Sequence, residues 1–168
     1  MSKEKFKTYQ GVFDEFTVNS LENLKRRKYY DELKSPIKTG KEGEVYEVIK
    51  EGKSRVVKIY RLNTSNFKKI STYIQRDFRF RNIKGNLRKV ILVWCQKEFR
   101  NLSLCYKNGI CVPTPYKQYN NIILMEKIEG GMLKDTELEN PKKFFELLLE
   151  QLYMFKNHAN LIHGDLSE

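Results

Sequence analysis

"KTGKEGEVYEVIKEGKSRVVKIY", residues 38–60, is the stretch on which the reading of the chain turns. Two β-prone runs, "EVYEVI" and "RVVKIY", flank "KEGKS", whose glycine suits a hairpin, so two paired strands are expected here. Just ahead, Gly40, Gly43 and Val45 stand at G-x-x-G-x-V spacing. Glycines there let the main chain approach phosphate oxygens and aim N–H groups at them, while Val45 would cover a base. A plain glycine turn between strands looks the same in isolation. Lys58 shifts the balance, because it sits among Val56, Val57, Ile59 and Tyr60, where an ammonium without a partner is costly to bury. Nucleotide phosphates and a helix carboxylate would supply that partner; a lysine reaching solvent from an edge strand is the alternative.

Working outward, residues 1–35 are polar and basic with Phe13, Phe16, Leu21 and Leu24 at helical spacing, which predicts one or two short helices with a break at Pro36. The stretch 61–89 reads as a basic insertion, with Asp77 the only acid in "RDFRFRNIKGNLRK". Val90, Val93, Trp94, Leu102 and Tyr106 then predict a helix stopped by "NG" at 108–109. Strands follow at "TPYKQY" and "IILMEKI" around the "NN" turn at 120–121, and a last helix begins with Asn140 as N-cap and Pro141 as first residue.

The composition is that of a chain with a core: 168 residues, 40% hydrophobic, with ten Phe and ten Tyr. Thirty-two Lys and Arg against 21 Asp and Glu give a net charge of +11, which favours RNA, acidic surfaces or phosphorylated small molecules as partners. Cys95, Cys105 and Cys111 form no CxxC pair, so no zinc site is expected and buried thiols in a reducing compartment are. With neither a signal peptide nor a membrane-length apolar run, the reading is a cytoplasmic protein without membrane contact.

The carboxylate chosen for Lys58 is Glu98, in "WCQKEFRNL" near the middle of the helix after the insertion; a solvated surface glutamate is the bland alternative. "IILMEKIEGG" has the form of a buried strand relaxing into a glycine-bearing connector, and "HGDLSE" closes the chain with Asp165 beside His163 and Gly164.

Taken in order, "TGKEGEVYEV", "VVKIYRLNTSNFKK", "RDFRFRNIKGNLRKVILVWCQKEFRNL", "NNIILMEKI" and "LIHGDLSE" resemble the RIO-type atypical serine/threonine protein kinases, first subfamily. The insertion followed by W-x-x-K-E-F-x-N-L is the specific part of the match. The resemblance implies an α+β, two-lobed protein-kinase-like fold: an antiparallel N-lobe sheet plus helix, with only the first part of the helical C-lobe present. It divides the chain into an N-terminal helical extension (1–35), an N-lobe (36–129) carrying the basic insertion, and the start of the C-lobe (130–168).

By the same resemblance, Thr39, Gly40, Lys41, Gly43 and Val45 form the phosphate loop, and Lys58 with Glu98 holds the phosphates. Met125 is the back wall, the main chain of Glu126 and Ile128 meets the adenine, and Asp165 is the catalytic base with His163 packing at the loop's root. One departure is Gly43, where the family tends to have Ala. ATP and magnesium are the implied cofactors, with the metal ligands expected beyond residue 168 and no metal ligand assigned within it. The implied role is phosphorylation of Ser or Thr, or ATP hydrolysis, in maturation of the small ribosomal subunit, with a pre-ribosomal particle or RNA meeting the basic insertion. A non-catalytic basic RNA- or ribosome-binding module built on a kinase lobe is the alternative. Between Phe144 and Phe155, nine of twelve residues are apolar, too many for one helix face, so this helix is expected to be exposed in a truncated chain.

Overall fold

The computed structural model describes residues 13–40, 43–62, 87–164 and 166. Lys41, Asp165 and nearly all of the basic insertion lie outside the described residues.

Helix α1 (Glu15–Arg26) opens on Asp14, whose carboxylate accepts the Thr17 N–H at 3.0 Å, and it has Glu15 in its first turn and Lys25 and Arg26 in its last, complementing the helix dipole. The chain then enters β1 (Glu32–Thr39), followed by β2 (Gly43–Lys50) and β3 (Lys53–Tyr60). Strand β1 corrects the expectation of helix up to a break at Pro36: Pro36 lies inside the strand, at a register shift where the ladder tolerates a missing N–H. Between β2 and β3, Glu51 and Gly52 take φ of 51° and 74°, the left-handed pair that a two-residue hairpin requires.

Helix α2 (Leu87–Lys107) crosses the sheet, and β4 (Pro115–Tyr119) and β5 (Ile122–Glu126) complete it in the antiparallel order β1-β2-β3-β5-β4. Asn120, at φ 52°, makes the expected turn between the last two strands.

The two faces of the sheet are covered by different helices. Val48, Val57, Ile59, Ile122 and Leu124 pack against Leu21 and Leu24 of α1, while Tyr60 and Ile123 pack against Val90, Ile91 and Cys95 of α2. Each fully buried side chain of this kind contributes roughly 1.5–3 kcal/mol. The strand period of two therefore decides which helix each residue meets, and it puts Lys58 and Tyr60 on the α2 face.

Helix α3 (Pro141–Asn157) starts where expected, with Asn140 Oδ1 accepting the Lys143 N–H at 2.9 Å. Met154 and Phe155 rest on a small cluster around Cys105, Ile110 and Ala159. Much of the rest of α3 is open: Phe145 is 57% exposed, Leu149 49% and Tyr153 63%. Among the described residues no helix is long and apolar enough to cross a membrane.

Candidate active site

Lys58 occupies the middle of β3, paired with Val45 of β2 on one side and Ile123 of β5 on the other. Its ammonium donates to both carboxylate oxygens of Glu98 on α2, at 2.8 and 3.1 Å. With side-chain exposures of 28% and 27%, the pair is neither a surface contact nor a sealed one, so Lys58 can hold the acid and still face an anion arriving along the sheet. The long segment between the two residues closes into one contact because α2 packs on the sheet face that Lys58 and Tyr60 share.

A third partner was not anticipated. Tyr60 points the same way as Lys58, its hydroxyl donates to Glu98 Oε2, and its ring lies under the Lys58 ammonium with Nζ 4.9 Å from the centroid. Strand alternation through "VVKIY" was the signal that could have found it.

Around this centre the described residues of the glycine-bearing stretch are placed by strand register. Thr39 ends β1 opposite Glu44, Gly40 donates its N–H to the Gly43 carbonyl at 2.9 Å, and Val45 stands beside Lys58. A Cβ at Gly43 would run into the Ile59 carbonyl, so β2 and β3 have closed to a gap that fits glycine. The neighbouring Glu44 points to the other face, where it is buried and accepts from Tyr46 Oη at 2.7 Å and from Arg61.

On the connector side, Met125 packs against the α2 cluster. The Glu126 N–H donates to the Thr114 carbonyl at 2.9 Å, so the group this residue has for a base edge is its carbonyl. Its side chain accepts from Thr114 Oγ1 and N–H at 2.7 and 3.0 Å, and these bonds, the hydroxyl's first, hold its carboxyl below the usual glutamate range. Ile128 is exposed, while Lys127 reaches back to Glu47 of β2 at 3.1 Å, tying the connector to the glycine-loop strand. Glu47 is held low by Ser54 first and by Lys127 second.

His163 stacks edge-on against Phe155 with ring centroids 5.7 Å apart, as a packing residue would. A cleft of about 1120 Å³ lies between α2 and α3, lined by Glu98, Trp94, Leu148, Phe155, His163 and Gly164 among others. Val45, Lys58 and Met125 do not line it. The cysteines depart from expectation at one position: Cys95 and Cys105 are buried, but Cys111 is exposed.

A family profile described as the RIO domain matches residues 44–168. The chain belongs to the RIO family. It is 37% identical over 172 residues to a protein of Haloferax volcanii named RIO-type serine/threonine-protein kinase Rio1, covering 98% of this chain and 59% of the relative. A protein of the same name from Methanocaldococcus jannaschii is 35% identical over 170 residues, 98% of this chain and 58% of its own length. This RIO chain thus spans a little under three-fifths of the length of those relatives. The fold is similar to that of the Rio2 kinase of Chaetomium thermophilum in its ADP/Mg2+-phosphoaspartate complex, with a TM-score of 0.68 at 24% identity over 84% of this chain and 41% of that one. The antiparallel sheet with its crossing helix is therefore the kinase-like α+β arrangement expected of a RIO domain.

Proposed function

We propose that this RIO chain carries the ATP-binding part of a serine/threonine protein kinase or ATPase, with its N-lobe at 36–129 and the start of its C-lobe at 130–168. The observation that carries the proposal is the contact of Lys58 with Glu98. An ammonium on a sheet face, oriented by an acid from the crossing helix and still partly open, is suited to the α and β phosphates of a nucleotide. Thr39, Gly40, Lys41 and Gly43 would form the loop over the phosphates, its shape held by the bond from the Gly40 N–H to the Gly43 carbonyl, and Val45 and Met125 would sandwich the adenine. The Glu126 carbonyl and the Ile128 N–H would meet the base edge.

Asp165 would accept the proton of the attacking hydroxyl or water. Among the described residues no group of three or more His, Cys, Asp or Glu is placed to hold a metal ion. ATP would enter such a site as its magnesium complex, the described residues meeting its phosphates.

The net charge of +11 supports an RNA-rich partner, and with the family it supports a role in maturing the small ribosomal subunit in the cytoplasm, the basic insertion meeting the particle. All three cysteines are free thiols, in keeping with a reducing compartment.

Calorimetry of ATP binding to the wild type and Lys58→Ala, each with and without magnesium, tests the proposal. Losing one charge-assisted bond of ~1.5–3 kcal/mol should weaken ATP about 10- to 150-fold. Equal, negligible heats from both proteins, with RNA binding intact, would favour the non-catalytic RNA-binding module instead.

A further inference from the structure

Lys58 and Glu98 meet only if β3 and α2 keep their relative setting, and the side chain between them is Tyr60. It is fully buried in the α2 cluster, among Ile91, Cys95 and Ile123, where phenylalanine would fill the same space without a hydroxyl to satisfy. That hydroxyl donates to the same carboxylate oxygen that Lys58 Nζ approaches at 3.1 Å, and the ring lies under the ammonium. Tyr60 thus touches both members of the pair.

Its backbone is fixed as tightly as its ring. The Tyr60 N–H donates to the Asn121 carbonyl at 2.9 Å, and Asn121 Nδ2 donates back to the Tyr60 carbonyl at 2.8 Å. The same Nδ2 donates to Thr17 Oγ1 at 2.9 Å, and Thr17 in turn donates its hydroxyl and its N–H to the Asp14 carboxylate, each at 3.0 Å. Helix α1 also reaches α2 directly, where Arg88 lies 4.0 Å from the ring centroid of Phe16. An unbroken set of bonds therefore runs from the capping turn of the N-terminal helix to the carboxylate that orients Lys58.

We infer that Tyr60 is a positioning residue for the Lys58–Glu98 pair, and that through Asn121 and Thr17 it makes α1 part of the apparatus that aims the lysine at nucleotide phosphate. The phosphate half of this statement rests on the proposed nucleotide site; the positioning half rests on the contacts alone. Tyr60→Phe keeps the buried ring and deletes the bond to Glu98. Thr17→Val, nearly isosteric, breaks the link to α1 without touching the ring.

Three readouts on the 168-residue chain decide the matter. In a 15N-lysine spectrum, Lys58 should give a slowly exchanging ammonium signal in the wild type that broadens or vanishes in Tyr60→Phe. By calorimetry, Tyr60→Phe should weaken ATP about two- to thirtyfold and Thr17→Val less, with adenosine, which has no phosphate, unaffected. In a Glu98→Ala background, which removes the acceptor altogether, Tyr60→Phe should cost nothing further, because its route to the lysine is already broken.

An unchanged ammonium signal, equal losses of ATP and adenosine, or the same loss in both backgrounds would overturn the inference and reduce Tyr60 to a core residue. If the wild type binds no ATP, the nucleotide reading falls and the ammonium signal alone decides the positioning role. If Tyr60→Phe fails to fold, the same spectrum and titrations on Thr17→Val decide it.

Discussion

Replacing Asn121 by alanine should destabilise the chain by about 2–3 kcal/mol. The side chain is fully buried, and its Nδ2 donates to Thr17 Oγ1 and to the Tyr60 carbonyl. Each such bond contributes ~0.5–1.5 kcal/mol net, and leaving a buried acceptor behind raises the loss toward ~1–3 kcal/mol. Against this, Asn121 Oδ1 is itself buried with no hydrogen-bond partner among the described residues, so removing it returns part of the cost. The backbone bond from Tyr60 N–H to the Asn121 carbonyl survives the substitution.

A domain of this size changes Tm by ~2–4 °C per kcal/mol, which gives a fall of about 4–12 °C in thermal unfolding followed by far-UV circular dichroism, with a lower urea midpoint to match. The neighbouring Asn120→Gly is the control. It loses the bond to Ser20 Oγ at 2.8 Å, but glycine accepts the φ of 52° without strain, so its effect should stay within about 1 kcal/mol. A loss below about 1 kcal/mol for Asn121→Ala, or an Asn120→Gly effect as large, would refute the claim that Asn121 fastens α1 to the sheet.

Thiol chemistry gives a second test: Cys111 is exposed, whereas burial, aided by nearby Glu98, pushes the Cys95 thiol up to about 12, so at pH 8 a maleimide should label Cys111 at once and Cys95 only on unfolding. For Glu126, whose carboxyl is held low by Thr114, the stabilisation is present above the unfolded pKa and is lost as pH falls through the lower folded value. Thr114→Val should move that titration, followed by 13C NMR, back up toward an ordinary glutamate; no movement would assign the shift elsewhere. Phe145→Glu with Leu149→Glu should cut the binding of a hydrophobic dye such as ANS while changing stability by no more than about 0.5 kcal/mol, because both side chains are largely open to solvent. A large Tm loss would mean that α3 packs there.

The hairpin, the helix after the insertion and the meeting of Lys58 with Glu98 were legible because each followed from a local demand. A two-residue turn needs left-handed residues, and Glu51 and Gly52 take those angles. An ammonium among aliphatic neighbours needs an acid, and the helix laid over the sheet had one near its middle. Strand β1 was not legible for the converse reason. It lies at the sheet edge with its last six residues exposed, so it lacks the alternation of apolar and polar residues by which strands are read, and its lysines and proline are what keep such an edge from pairing further.

The polar link from α1 to the lysine was hidden for a third reason. "NN" reads as a turn on local grounds, and Asn120 does make one, but Asn121 is buried because α1 folds across the turn and brings Thr17 to it, an event that no window of neighbouring residues encodes. The same holds for Tyr60, which pattern alone would class as one more apolar residue of a strand. Its hydroxyl acquires meaning only when α2 delivers Glu98 to it. What local sequence cannot supply in this chain is therefore the second contact of each side chain already seen to make a first one, and those second contacts are what join the N-terminal helix to Lys58.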